Sequence, residues 1–114
     1  MEHPKPVMLR LKNMSDLARF AASVASLGRP IHVLSFKLEG RFVYGVLAVF
    51  HDYYKYYGVP VFYYVDSDKE LEGNYILVKV EEREEKVSIS KGIKPGWVSI
   101  PIIRLESPPP FLAE

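Results

Sequence analysis

The chain contains no cysteine and no glutamine, and its only asparagines are Asn13 and Asn74. The lack of cysteine excludes disulfides and thiolate metal ligands, and points to an intracellular, cytoplasmic setting. Scarce amide side chains beside abundant Glu, Lys, Arg and Pro match the composition of thermophile proteins. No apolar run nears the ~20 residues that span a bilayer; the longest, Val46 to Phe50, has the length of a strand. Met1 to Arg10 carries Pro4 and Pro6 and no apolar stretch of the kind a signal peptide uses.

Catalytic equipment is equally sparse. HExxH, GxSxG and a glycine-rich phosphate loop are all missing. The three histidines are scattered: His3 in the arm, His32 on an expected core face, His51 at a strand end. No convergent set of acid, base and nucleophile emerges, so the expectation is a protein that is not an enzyme and holds no metal or cofactor.

Aromatic residues, by contrast, are plentiful and clustered. Phe42, Tyr44, Phe50, Tyr53, Tyr54, Tyr56, Tyr57, Phe62, Tyr63 and Tyr64 make ten of the fifteen aromatics in about a fifth of the chain. Each buried tyrosine hydroxyl needs a partner, so some of these rings are expected at the surface. Charge is uneven too. Residues 1–41 carry seven Lys or Arg against three acids, and residues 66–86 carry four against eight.

The length suits one domain, expected over residues 1–106 with 1–6 as a flexible arm and 107–114 as a Pro-rich, polyproline-like tail. Val7 to Leu11 reads as a short strand. Ser15 reads as a helix N-cap, followed by the apolar stripe Leu17, Phe20, Ala21, Val24 and Leu27, with Gly28 and Pro30 ending the helix. Ile31 to Leu38 and Arg41 to Phe50 read as a hairpin about Glu39-Gly40, with paired positions summing to 79.

The face with His32, Leu34, Phe36, Leu38, Val43, Leu47 and Val49 is the more apolar and is expected to take the helix. The other face carries Ile31, Val33, Ser35, Lys37, Phe42, Tyr44, Val46, Ala48 and Phe50, a partly polar surface with an aromatic pair. His51 to Gly58 reads as a connection. Strands follow at Val59–Asp66, Asn74–Glu82 and Val87–Ser90, and Trp97–Ile103 is demoted to an edge by Pro101. Gly45, inside a strand, suggests a close backbone approach or a bulge. The expected fold class is α+β: one main helix on a largely antiparallel sheet of four to six strands, not an OB-fold.

In Tyr53-Tyr54-Lys55-Tyr56-Tyr57 rings and positive charge alternate, as they do where proteins stack unpaired bases. Arg10, Lys12, Lys37 and Arg41 are candidates for phosphate contacts, and Phe42 and Tyr44 for further stacking. The same surface also suits a protein or dimer interface.

Several stretches carry a family resemblance: Gly28-Arg29-Pro30-Ile31, Val43 through Phe50, Asp52-Tyr53-Tyr54, and Val61-Phe62-Tyr63-Tyr64-Val65. Over roughly residues 15–82 the chain resembles the small ThermoDBP-related single-stranded DNA-binding proteins of thermophilic archaea. The resemblance implies an antiparallel sheet whose helices form a cleft for single-stranded DNA, outside the OB-fold, in a homodimer. No long heptad helix follows the sheet, unlike a coiled-coil route to larger assemblies.

The expectation is therefore a sequence-tolerant single-stranded DNA (or RNA) binder with no membrane partner. The alternative is an interaction or dimerisation module using the same rings.

Overall fold

The structure, a computed structural model, describes residues 5–52, 56–81 and 84–112, and the backbone alone for 49–52 and 56–59. Its elements are β1 (Val7–Arg10), α1 (Met14–Ser26), β2 (Val33–Leu38), β3 (Arg41–Asp52), β4 (Tyr56–Ser67), β5 (Tyr75–Glu81), β6 (Glu84–Ser90) and β7 (Val98–Arg104). A single 3-10 turn follows at Pro110–Leu112.

Helix α1 starts earlier than expected. Asn13, not Ser15, is the N-cap, its Oδ1 accepting from the Asp16 N–H at 2.9 Å. Leu27 caps the C-terminus, and Gly28 follows with φ of 80°, a left-handed conformation that glycine adopts without strain.

The β2–β3 hairpin has the expected register, from Leu34 opposite Gly45 to Leu38 opposite Arg41. Its turn residues Glu39 and Gly40 both have positive φ, 51° and 80°, as a two-residue turn between twisted strands requires. Beyond it the chain departs from expectation. His51 to Gly58 is not a long connection, because β3 and β4 extend through it and pair out to Asp52 opposite Tyr56, with a register shift after Phe50.

The sheet corrects the expected architecture. It has seven strands rather than four to six, in the order β1-β4-β3-β2-β7-β5-β6, and it is mixed and open. β1 runs parallel to β4, and β2 parallel to β7. The reason for the first of these pairs is the path β1–α1–β2. A crossover through a helix returns the chain in its original direction, and the β3–β4 hairpin then fills the gap between the two strands.

Pro101 does not make β7 an edge. β7 pairs with β5 through Val98–Pro101 and with β2 through Ile102–Arg104, so the proline lies at the changeover between two ladders, where a missing N–H is tolerated.

The helix also lies on the face opposite to the one expected. Leu17, Ala18 and Ala21 pack on Val33, Tyr44, Val46, Val65, Ile76, Val78, Ile100 and Ile102. Both faces of the hairpin are apolar, and the handedness of the crossover, not hydropathy, chooses between them. The other face is covered by the C-terminal segment. Phe36, Val43 and Phe62 are buried there beneath Leu105, Phe111 and Leu112, and Pro109 is itself buried.

Phe62 centres this second cluster. Its ring is 6.1 Å from Phe36, 6.0 Å from Tyr64 and 5.4 Å from Phe111. It lies on the backbone of Gly45, where a Cβ would fall 2.3 Å from the ring. The close approach expected at Gly45 is thus made by an aromatic side chain. Gly45→Ala is expected to lower stability by about 1–3 kcal/mol, the usual cost of overpacking. Denaturant unfolding measures it, and Phe62→Leu in the same chain should recover part of the loss.

Candidate nucleic-acid interface

Apart from the buried Tyr44, the predicted site residues that the structure describes fall at opposite ends of the β3–β4 hairpin. Tyr53, Tyr54 and Lys55 lie outside the described residues. Tyr56 and Tyr57 open β4, next to Asp52. Arg41 and Phe42 open β3, about ten residues and so ~30 Å away along the strand. The expected continuous block of rings and cations is therefore split by an extended hairpin.

At the Arg41 end, three separate segments converge. Arg10 ends β1 beside Tyr64, Lys12 follows it, and Phe42 of β3 pairs with both Lys37 of β2 and Ser67 of β4. These four neighbouring strands span three inter-strand spacings, or ~14 Å.

Asp66 is the hub. Its Oδ1 is 2.6 Å from Arg10 Nη2, and its Oδ2 accepts from Arg41 Nε at 3.0 Å. The Arg10 contact is an ion pair by distance only, since Oδ1 lacks a partner in hydrogen-bond geometry. Lys12 and Lys37 are exposed and make no ion pair among the described residues. Lys37 Nζ sits 5.6 Å from the centre of the half-buried Phe42 ring, a cation–π contact. Glu39, Asp66 and Asp68 lie among these cations, leaving a small positive excess. A notch of about 210 Å³ lies beside the hub, lined by Arg10, Lys12, Asn13, Met14, Asp66 and Leu71 among others. It is smaller than the ~300–1,000 Å³ typical of small-molecule pockets.

Tyr44 does not belong to this surface. It is fully buried under the helix, and its hydroxyl accepts from the Leu71 N–H at 2.7 Å. The sequence marked it as a surface ring because the hairpin face it occupies was read as wet. Tyr63 and Tyr64 are half-buried on opposite faces, Tyr63 packed 4.1 Å from Phe20. Phe62 and Val65 are buried, so neither face of β4 there is wet. His32 is exposed rather than in the core.

Two arrangements were not legible in the sequence. Arg104 clamps the 68–74 loop, with Nη1 donating to Glu70 Oε1 at 3.0 Å and Nη2 to the carbonyls of Leu71 and Gly73 at 2.8 and 2.6 Å. Trp97 is flanked by Lys79 and Lys94, at 5.8 and 5.6 Å from its ring centre. Its signal was local, in Lys94-Pro95-Gly96-Trp97, but the Lys79 partner comes only from pairing. Among the described residues no three His, Asp or Glu gather as a metal site, and no helix is long and apolar enough to cross a membrane.

No family model, curated protein or solved structure matches this chain. The family resemblance drawn from the sequence accordingly rests on its own residues alone.

Tyr44→Phe leaves the Leu71 N–H without its acceptor and should cost about 1–3 kcal/mol of stability in denaturant unfolding.

On the β5–β6 hairpin, hydrogen bonds from Lys79 and then Lys86 to Glu81 lower its pKa from 4.5 to about 2. A depressed carboxyl stabilises the fold above its ordinary value and loses that contribution as pH falls through about 2. An NMR titration should give that low midpoint in dilute salt and a higher one in concentrated salt, since the group is exposed and screened.

Proposed function

We propose that the protein binds single-stranded nucleic acid, most favourably DNA, without strong sequence preference, in the cytoplasm. One observation supports this above the others: Arg10, Lys12, Lys37, Arg41 and Phe42 lie at one end of four adjacent strands, Arg10 and Arg41 on the face away from α1 and Lys37 and Phe42 on the α1 face. Lys12 and Lys37 are the side chains best suited to phosphate, because Asp66 does not engage them. Phe42, with Lys37 beside its ring, is the candidate stacking surface at this end. Tyr56 and Tyr57 open β4 at the far end of the hairpin, where a longer strand would pass. The second reading, a protein-interaction module, is favoured by a different surface, the exposed apolar strand β1.

The test is a fluorescence-anisotropy titration with labelled oligo-dT of ~10 and ~20 nucleotides, a range bracketing common single-strand site sizes, and a duplex control. The single strand should bind more tightly than the duplex, and the 20-mer more tightly than the 10-mer. Affinity should fall with salt through counterion release. Lys12→Ala with Lys37→Ala should weaken binding roughly tenfold and flatten the salt slope by about 0.7 for each phosphate no longer neutralised. Absence of binding at low salt removes this function.

A further inference from the structure

The two edges of the sheet differ in kind. β6 carries Glu84, Glu85 and Lys86, charges that discourage another strand from pairing there. β1, at the other edge, presents Val7, Met8 and Leu9, which are 51%, 41% and 43% exposed. An apolar edge strand with open peptide groups is a template for strand addition.

Which peptide groups are open follows from one hydrogen bond. The Leu11 N–H donates to the Tyr64 carbonyl at 2.8 Å, toward β4. Peptide groups alternate sides along a strand. The N–H and C=O of Met8 and Arg10, and the carbonyl of Pro6, therefore point away from the sheet. Among the described residues, β4 is the only strand beside β1.

The geometry points to this edge as the seat of a second copy of the chain, paired antiparallel about a two-fold axis at Met8. The axis runs perpendicular to the sheet, so both copies keep α1 on the same side and the in–out alternation matches. In this register Met8 meets Met8 of the other copy, Val7 meets Leu9, and Arg10 meets Pro6. Every exposed apolar side chain of β1 then faces another apolar one, and the two arginines lie at opposite ends. Pro6 lacks a donor, but its carbonyl accepts from the Arg10 N–H.

Shifting the axis to Leu9 sets Arg10 against Met8 and loses that match. Pairing β1 with β6 instead would leave open edges and add copies without end, against the charges on β6. Homotypic pairing uses both apolar edges and leaves only charged ones outside. This inference does not depend on nucleic-acid binding.

The absence of cysteine supplies the test, because Met8→Cys introduces a single thiol. A hydrogen-bonded antiparallel pair holds its Cα atoms about 5.5 Å apart, within the span a disulfide bridges. Mild oxidation should convert Met8→Cys almost wholly to covalent dimer. Ile93→Cys, in an exposed loop, should remain largely monomeric at the same concentration. Sedimentation of the unaltered chain should show a dimer. Met8→Pro, which deletes an outward N–H, should weaken association at least tenfold with circular dichroism preserved. Leu9→Lys should do the same by charge, should the proline disturb β1. A chain that stays monomeric across concentration, or a dimer in which Met8→Cys cross-links no faster than Ile93→Cys, overturns the assignment.

Discussion

The contact on which most of the structure turns is the tip of the Phe62 ring against the backbone of Gly45. Only a residue without a side chain permits it. With the ring seated there, Phe36, Tyr64 and Phe111 pack around it, and the C-terminal segment has an apolar bed to occupy. Around Gly45 and Phe62 the sheet is consequently dry on both faces. α1 covers one, and the chain from Leu105 to Leu112 covers the other. Two covers from opposite ends of the sequence hold one long hairpin between them.

The second constraint is the path of the chain. Because β1 and β2 are joined through a helix, they run the same way, and the β3–β4 hairpin is inserted between them. This insertion brings the end of β1, the end of β2 and the start of β3 to one end of the strands. Cations more than thirty residues apart in sequence become neighbours there, and Asp66 at the end of β4 holds two of them. The candidate interface is thus a product of topology more than of any local motif.

The aromatic block looks different once folded. Tyr44 and Phe62 are core, and Tyr63 and Tyr64 pack on opposite faces, so clustering in sequence meant two clusters in space. A buried tyrosine needs a partner, and Tyr44 has one, but it comes from a loop twenty-seven residues away. In the proposed binding surface the weight accordingly falls on exposed lysines and one half-buried phenylalanine rather than on the rings.

What the sequence alone determined were the features set by neighbours in the chain. The amphipathic stripe of α1 from Leu17 to Val24 (Leu27, expected to continue it, is exposed at the C-cap), the stop at Gly28, the Glu39-Gly40 turn and the hairpin register all follow from local spacing and backbone freedom. The close approach at Gly45 was also legible, because a glycine inside a strand forgoes packing and marks a place where something else comes near.

Only the tertiary structure decided the seven-strand mixed order, the central place of β7, which face took the helix, and which tyrosines were dry. These depend on contacts between segments far apart in the chain. Both faces of the hairpin were apolar enough to be buried, so composition was silent, and the handedness of the crossover and the reach of the C-terminal segment settled the choice.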